Sequence, residues 1–522
     1  MKKLLFFFIC FVTITSLYSQ NTFNKHYAFD GLAAIGNGVL VTDSCYYVSG
    51  LVVDTINDPT LYDALFLAKM DFDGNIVSSY TLLDTLSSYE NWATPLLFYD
   101  NAFTSIGYGY DSLMYLYWLR MDTNDSIIAF NKFRSHYAPE DYFIRPTDAL
   151  YKNGKYYITT LIGKYDTDGI LDENYTVLVL DDNGNSLQEQ IVYGNFWRNR
   201  PTNIVLQDNN LIIGSVKANS NLTRWNRKSY SKIIGIDTLG HIEWSWQSSS
   251  SLQQGANDLL ATDDGGLVVV SGRGFLKQVN PHVKYIYWDK GLVFKLDSTH
   301  HLEWEYEFTL PHFSSSSGLF HVKKAIDNSG YTAAGDIIDL AGSNGGTILG
   351  WLTKVSPNGD SLWSRKLFYY EYPDSIEYLH HIHDLQTTPD GGYLISGQTL
   401  DSKHLSFPTQ QAWFIKVDAE GCLIPGCGLV DAIEPSQKEG PPLLLYPNPA
   451  SDYLNVYLGN NENKNWSFVV YNSTGQEMGR YAANISHTTY MIAVDRWQAG
   501  QYFLRVVDED KRFYKTYKWI KQ

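Results

Sequence analysis

Three carboxylates are spaced along the stretch KLDSTHHLEWEYEF (295–308) in a way that could serve chemistry. Glu303, Glu305 and Glu307 alternate with apolar residues, so an extended chain places all three on one face. Such a row could bind a metal ion or supply an acid/base pair. The alternative is the solvent side of an edge strand, where charge discourages association between sheets. Related stretches elsewhere in the chain lack the glutamates, which favours the edge strand.

The densest histidine cluster is LHHIHD (379–384). His381 and His383 are one residue apart, so both can face a zinc or copper ion from one side of a strand, with a third ligand supplied from elsewhere. The alternative is a solvated loop with one packed imidazole. We predict that His381 and His383 are candidate metal ligands. We place them near the opening of a channel through the centre of the fold that the repeats described below predict.

Two further segments resemble catalytic or metal-binding motifs but depart from them. The turn DFDGN begins like a calcium loop, but the twelfth position from Asp71 is Leu82 instead of the bidentate glutamate. The stretch LPHFSSSSGLFH (310–321) is a serine-rich loop without a Gly-x-Ser-x-Gly elbow. The sequence therefore predicts a plain β-turn at Asp71 and no catalytic residues.

Aromatic and basic residues adjoin in two predicted loops, WRNR (197–200) and WNRK (225–228). Exposed tryptophans stack on sugar rings or anchor protein partners. Packing of these loops on the body of the protein is the alternative.

Composition narrows the class of protein. The chain has 522 residues, 15% aromatic and 18% charged, with a net charge of −16. This length predicts more than one domain or a repeat array, and many aromatics with few charges are typical of strands. The acidic charge argues against a nucleic-acid partner.

The first residues, MKKLLFFFICFVTITSLYSQ, have a basic start, an apolar run and small residues near Gln20. This pattern predicts a signal peptide over 1–20. No later stretch is apolar for long enough to span a membrane, so we expect an exported mature chain without a transmembrane segment. In an oxidising compartment, Cys422 and Cys427, which flank a short turn, are predicted to form a disulfide bond, leaving Cys45 as a buried thiol.

One motif recurs seven times at intervals of 51 to 62 residues. Its anchor residues are Asp71, Asp122, Asp181, Asp237, Asp297, Ser356 and Asp418. A second motif, clearest as DDGGLVVVSG (263–272) and DGGYLISG (390–397), precedes each copy. Each unit reads as four antiparallel strands joined by tight turns, and seven such blades form a β-propeller. The seventh unit lacks a fourth strand, and we predict that TFNKHYAF (22–29) supplies it.

A second domain follows the repeats. The polar, proline-containing segment 429–441 is predicted to be a linker between a propeller over 22–428 and a small β-sandwich over 442–522. The fold class is therefore all-β: a seven-bladed β-propeller followed by a small C-terminal β-sandwich domain.

The last eighty or so residues resemble a known module. The motif comprises Tyr446, Pro447, Asn448 and Pro449, the turn at Gly475, the strand AGQYFLRV around Gly500 and the closing KWIK. These features resemble the type A C-terminal sorting domain of the type IX secretion system of Bacteroidetes. The resemblance implies recognition by that secretion machinery, and a location in the medium or on the outer-membrane surface.

The repeats resemble the propeller-type repeats often found ahead of such sorting domains. Their Asp-x-x-Gly-x-x-x-Trp pattern is also similar to that of pyrroloquinoline quinone enzymes, but those usually have eight blades and often an adjacent cysteine pair. Neither feature is evident here, so we expect no cofactor.

A propeller hosts many unrelated functions. We expect a monomer that binds a glycan or protein ligand without catalysis. One alternative is a secreted enzyme, a hydrolase or a metal-dependent oxidoreductase, with its site at the channel mouth; another is a purely structural surface protein.

Overall fold

The computed structural model describes residues 21–522 apart from several segments. These are 30–32, 54–62, 85–86, 92–93, 141, 166–170, 194–198, 219–227, 238–239, 281–282, 315–316, 340–346, 370–377, 402–409, 425–426, 428–442, 459–465, 473–476, 484–488 and 509–513. The predicted signal peptide and linker lie outside the described residues. The described residues form β-strands, and none of their segments is a helix suited to crossing a bilayer.

The first part of the chain forms seven antiparallel blades, which confirms the seven-bladed propeller. Blade 1 consists of β2 (Ala33–Val41), β3 (Tyr46–Val53), β4 (Asp63–Met70) and β5 (Ile76–Leu82). In blade 2 the first strand is split into β6 (Ser88–Glu90) and β7 (Leu97–Tyr99), and β8 (Ala102–Tyr110), β9 (Met114–Asp122) and β10 (Ile127–Phe133) follow. Blade 3 consists of β11 (Phe143–Lys152), β12 (Lys155–Tyr165), β13 (Leu171–Asp181) and β14 (Ser186–Tyr193).

Blades 4 to 6 follow the same order. They consist of β15 (Asn199–Gln207), β16 (Asn210–Ala218), β17 (Ser229–Ile236) and β18 (Ile242–Gln247); β19 (Asp258–Ala261), β20 (Leu267–Asn280), β21 (Val283–Leu296) and β22 (Leu302–Ser314); β23 (Gly318–Lys324), β24 (Tyr331–Asp339), β25 (Thr347–Val355) and β26 (Ser361–Leu367). Because β22 extends to Ser314 and β23 begins at Gly318, the loop predicted over 310–321 is wrong for 310–314 and for 318–321. The long partner strand β21 holds the first of these segments by pairing, up to Trp288 with Ser314.

Blade 7 closes the ring with the two ends of the propeller sequence. It contains β27 (Tyr378–Thr387), β28 (Tyr393–Asp401), β29 (Gln410–Val417) and, as its fourth strand, β1 (Phe23–Tyr27). β1 pairs antiparallel with β29, from Phe23 opposite Lys416 to Tyr27 opposite Ala412. The predicted closure by residues 22–29 is confirmed.

Hydrophobic side chains form one core cluster between each pair of neighbouring blades, seven in all among the described residues. Between blades 7 and 1, Phe23 and Phe29 pack with Phe66 and Phe414. Between blades 5 and 6, Phe308 packs edge-on against Trp351, with ring centroids 5.7 Å apart. Burial of these apolar faces is the main stabilising force of the ring.

The repeat anchor fixes the turn between the third and fourth strands. In all seven copies the anchor side chain accepts the backbone N–H four residues further on, at 2.7 to 3.1 Å. The residue three positions after the anchor is always left-handed, and five of the seven are glycines, which adopt positive φ without steric cost. Asp71 directs both carboxylate oxygens into its own turn, as the plain β-turn prediction requires.

In blades 7 and 5, the second motif is hydrogen-bonded to the strand that leads into the first motif. Asp390 of the Asp-Gly-Gly turn accepts hydrogen bonds from Thr388 Oγ1 at 2.5 Å and from Lys416 Nζ at 2.9 Å. Asp264 is bonded in the same way by Thr262 and Lys295. In these two blades, the lysine two residues before the anchor thus pairs with the aspartate of the Asp-Gly-Gly turn.

The three glutamates of the opening stretch lie on β22, the outer strand of blade 5. All three form ion pairs within blade 5. Lys295 on the adjacent strand β21 pairs with Glu303, and Arg273 on β20, one strand further in, pairs with Glu305 and Glu307. The predicted edge strand is correct, although the glutamates are paired as well as partly exposed. Tyr306 and Phe308 face the blade 6 core as predicted, whereas Leu302 is 49% exposed because it lies at the start of the strand, beside the turn.

The C-terminal unit is a sandwich of two antiparallel sheets. One contains β30 (Leu443–Tyr446), β31 (Tyr453–Leu458) and β34 (Thr489–Ala493), and the other β32 (Trp466–Asn472), β33 (Glu477–Ala483), β35 (Gly500–Asp508) and β36 (Tyr514–Lys521). Its core includes Leu454, Phe468 and Trp519.

The chain divides into two compact units, 1–423 and 424–522. The boundaries predicted at 428 and 442 fall outside the described residues and stay a prediction.

Candidate functional site

The connections between strands divide the propeller into two rims. The "turn rim" carries the tight turns between first and second strands and between third and fourth strands, such as 71–75 and 325–330. The "loop rim" is the opposite edge, where the first strands begin. A longer segment, 248–257, connects β18 to β19 at the loop rim. Loops held by a rigid scaffold are where binding and catalytic residues concentrate.

His381 lies near the loop-rim end of β27 and pairs with an aspartate of the preceding blade. Its Nδ1 donates to Asp336 Oδ2 at 2.6 Å, and the Ile382 N–H donates to Asp336 Oδ1 at 3.0 Å. Burial disfavours the imidazolium, but the hydrogen bond and charge of Asp336 outweigh it and raise the pKa of His381. Burial raises the pKa of Asp336. The pair resembles the base and orienting acid of hydrolytic sites.

His383 occupies the bulge of β27 and joins a chain of amides that crosses into blades 1 and 2. Its Nδ1 lies 2.9 Å from Asn37 Oδ1, and Asn37 Nδ2 donates to Asn91 Oδ1 at 3.1 Å. Because the Asn37 oxygen can only accept, Nδ1 of His383 carries the proton. Burial, with smaller contributions from the charges of His381 and His321, lowers the pKa of His383 to about 3, so the ring is neutral.

The structure brings the two predicted metal ligands near each other, with 6.3 Å between their ring centroids. In the part of the chain that the structure describes, no group of three or more His, Cys, Asp or Glu side chains is arranged to hold a metal ion. Both Nδ1 atoms bond to oxygen acceptors, as in many histidine ligands, which leaves coordination to Nε2. Metal binding by His381 and His383 therefore stays a prediction.

Three aspartates, on the first strands of blades 3, 5 and 7, each bond to the blade that follows. Oδ2 of Asp148 (blade 3) accepts the N–H of Ile204 (blade 4) at 2.8 Å, and Asp258 (blade 5) accepts that of Val322 (blade 6) at the same distance. Asp384 (blade 7) accepts from Val39 (blade 1) at 3.1 Å. We call Asp148, Asp258 and Asp384 the inter-blade aspartates.

The other oxygen of each inter-blade aspartate accepts the N–H of the next residue, at 2.7 to 2.8 Å. All their carboxylate oxygens are therefore committed to backbone groups. Burial raises the pKa of Asp148 to about 8 and that of Asp384 to about 6. These acids are structural links lining the channel wall.

The positively charged amino group of Lys323 on β23 acts on all three inter-blade aspartates. Its charge lowers the pKa of Asp148, Asp258 and Asp384, which offsets part of the effect of burial. The same charge adds to burial in lowering the pKa of the neighbouring His321 to about 3. The sequence reasoning missed Lys323 and the inter-blade aspartates. A signal existed in TDAL (147–150), NDLL (257–260) and HDLQ (383–386), which share an aspartate before an apolar residue.

A second polar cluster lies at the loop rim of blades 1 to 3. Tyr108 at the end of β8 donates its hydroxyl to Glu90 on β6. Arg145 at the start of β11 lies over the rings of Tyr108 and Phe143, with its Cζ 5.1 and 5.6 Å from their centroids. Burial, followed by the charge of Glu90, raises the pKa of Asp63 at the start of β4 to about 6. No local sequence pattern predicts this cluster, because its members come from three blades.

The remaining predicted residues fall in several places. Cys422 and Cys427 are disulfide-bonded as predicted, and Cys45 is a buried free thiol. Most of WRNR and WNRK lies outside the described residues, so their predicted role in binding stays a prediction.

Of the sorting-domain motif, Asn448 Oδ1 accepts the Ile520 N–H at 2.9 Å, so the motif docks on the last strand. Tyr446 is exposed, Gly500 begins β35, and Gly475 lies outside the described residues. The peptide bonds before Pro447 and Pro449 are cis.

Several solved structures share the general architecture. Drosophila Semaphorin 2a aligns with a TM-score of 0.44 and 8% identity, over 96% of this chain and 97% of its own. A sialidase of Trypanosoma rangeli in complex with the inhibitor DANA aligns at 0.37 and 9%, over 86% of each chain. A fungal alcohol oxidase in complex with copper aligns at 0.36 and 10%, over 95% and 99%. At these identities the likeness concerns the fold alone.

Comparison with the curated proteins gives no match. Residues 444–522 match the family model of the secretion system C-terminal sorting domain. That domain marks proteins that the type IX secretion system secretes or attaches to the cell surface. The chain is therefore a secreted or cell-surface protein whose C-terminal unit is a type IX secretion sorting domain.

Proposed function

We propose that the propeller is a non-catalytic binding module which holds a glycan or protein ligand at its loop rim. The observation that carries this proposal is the contrast between the rims. The turn rim is fixed sevenfold by anchors whose side chains bond their own turns. The loop rim carries a longer connection, 248–257, and the exposed side chains of Tyr110 and Arg145.

The channel supports binding more than catalysis. All carboxylate oxygens of the inter-blade aspartates bond to backbone N–H groups, and a buried acid used in this way would lose those bonds if it acted in proton transfer.

The test is a glycan array and a panel of secreted and surface proteins, probed with the full mature chain. Two exposed tyrosines provide matched variants: Tyr110 on the loop rim and Tyr99 at the turn rim, 52% and 44% exposed. Tyr110→Ala should weaken binding of any ligand found, and Tyr99→Ala should not. Binding lost only in the Tyr99→Ala variant would place the ligand on the wrong rim, and an array without binders would refute a glycan ligand.

The His381–Asp336 pair supports a second candidate, a secreted hydrolase or metal-dependent oxidoreductase at the channel mouth. It predicts stoichiometric metal or turnover in the purified protein, lost in a His381→Ala, His383→Ala double variant. Metal-free protein, together with a double variant indistinguishable from the wild type, would rule out the metal-dependent version.

A further inference from the structure

Arg145 lies at the loop rim, in the first residues of β11, and the contacts of its guanidinium set it apart from several other arginines. Among the described residues it forms no ion pair or hydrogen bond, whereas Arg120, Arg134 and Arg273 all donate to oxygen atoms. Its guanidinium is held instead by the faces of Tyr108 and Phe143. A guanidinium positioned in this way has a planar fork of donors available for a carboxylate.

Two acids, Glu90 and Asp63, act on Tyr108, whose ring contacts this arginine, and neither pairs with Arg145 in the described part of the chain. Glu90 lies opposite Tyr108 in the β6–β8 ladder and accepts the Tyr108 hydroxyl. The charges of Glu90 and Asp63 both raise the pKa of Tyr108, and the charge of Arg145 lowers it, so all three groups act on one phenol. Carboxyl groups at such a site accept or donate hydrogen bonds to hydroxyls.

An exposed ring completes the cluster. Tyr110 is two residues beyond Tyr108 on β8, so both side chains project from the same face of the strand. Tyr110 is 52% exposed and lies opposite Ser88 in the same ladder as Glu90. Aromatic faces of this kind stack on the apolar face of a sugar ring.

We propose that Arg145, Glu90, Asp63 and Tyr110 form a subsite for a carboxylate-bearing sugar residue of the uronic acid class. The guanidinium of Arg145 forms an ion pair with the sugar carboxylate. The two acids form hydrogen bonds with sugar hydroxyl groups, and the ring of Tyr110 stacks on one face of the sugar. An acidic peptide has the same carboxylate chemistry but fits less well, because it lacks the ring hydroxyls that Glu90 and Asp63 bind and the sugar face that stacks on Tyr110. The inference rests on the proposed binding function and specifies one ligand class for the loop rim.

The test is calorimetric titration of the full mature chain with three probes: trigalacturonate, neutral galactotriose and a tetraglutamate peptide. We expect trigalacturonate to bind at least about tenfold more tightly than either of the others, since one charge-assisted bidentate pair contributes about that factor. Arg145→Ala should lose that preference, and Arg145→Lys should keep part of it, because an ammonium lacks the fork. The melting temperature should not change, because Arg145 is exposed.

The control is Arg365→Ala. Arg365 also lies over an aromatic ring, with its Cζ 5.6 Å from the centroid of Trp363, but on the outer strand of blade 6. This variant should bind trigalacturonate like the wild type.

Three results would overturn the subsite. They are equal binding of galactotriose, binding of tetraglutamate as tight as that of trigalacturonate, and unchanged affinity in Arg145→Ala. If another glycan binds through the loop rim while trigalacturonate does not, the subsite fails and the proposed function stands. If no glycan or protein binds at all, the proposed function fails with it.

Discussion

The indole of Trp244 lies flat on the imidazole of His300, with 3.6 Å between ring centroids and 15° between ring planes. Trp244 is on the outer strand of blade 4, and His300 is in the repeat turn of blade 5. The same contact recurs around the ring with glycine in place of histidine: Trp304 faces Gly359, and Trp363 faces Gly421. The repeat tryptophan therefore joins each of these blades to the next.

This contact leads to a prediction for His300, which has a φ of 63°. A non-glycine residue in this conformation costs about 1–2 kcal/mol, and the ring contact contributes about 0.5–1.5 kcal/mol. His300→Ala should destabilise the protein by about 1 kcal/mol, because it loses the contact and keeps the strain. His300→Gly loses both and should be close to neutral. Urea unfolding measures both variants, and a glycine variant less stable than the alanine variant would contradict this account.

The glycine copies allow a matched comparison. Gly359 and Gly391 have similar φ values, 89° and 84°. A Cβ at Gly359 would lie 2.7 Å from the Trp304 ring, whereas at Gly391 its nearest contact is the Ala419 Cβ at 3.8 Å. We expect Gly359→Ala to cost about 2–4 kcal/mol, the sum of strain and overpacking, and Gly391→Ala about 1–2 kcal/mol from strain alone. Equal losses in thermal or urea unfolding would show that the tryptophan contact is unimportant.

Ring closure depends on Phe23. Its side chain is buried against Gly74 and the core between blades 7 and 1. Phe23→Ala should destabilise the propeller by about 3–5 kcal/mol, as expected for a buried phenylalanine. The control is Phe72→Ala in the neighbouring turn, which is 39% exposed and should cost less than about 1 kcal/mol. Similar unfolding midpoints for the two variants would indicate that β1 is dispensable.

The inter-blade aspartates make stability depend on pH. The pKa of Asp148 is about 8 in the folded chain, where Asp258 (β19) also raises it and Lys323 (β23) lowers it. In the unfolded chain an aspartate has a pKa of about 3.9. An acid whose pKa is raised by folding stabilises the protein fully below its unfolded pKa, and this stability is lost as the pH rises through the folded pKa.

Asp148→Asn removes this titration but also loses the bond to Ile204. The variant should melt below the wild type at about pH 4, and the difference should narrow towards about pH 8. Melting curves at a series of pH values test this expectation. A difference that stays constant or widens towards high pH would mean that Asp148 is ionised throughout.

The blades could be predicted from the sequence because each depends on local chemistry. An anchor such as Asp297 accepts the N–H of His301, four residues away. All the residues that determine the turn therefore lie within one short segment of the sequence. The closing strand was predictable because one blade lacked a strand and one strand lacked a blade.

The channel and the loop-rim cluster depend on partners in other blades, which no local pattern reveals. Asp148 bonds Ile204, and Arg145 lies on Tyr108, in each case across a blade boundary. His381 and His383 were predicted as a metal pair from their spacing, but their partners Asp336 and Asn37 lie on blades 6 and 1.

The pairing of β1 with β29 sets an order of events during synthesis. The first strand leaves the ribosome long before its partner exists, so it must stay unpaired while six blades emerge behind it. Until β29 emerges, the backbone of β1 has no strand to pair with and the core around Phe23 lacks its blade 7 side chains, such as Phe414, so the nascent chain exposes an unpaired strand edge.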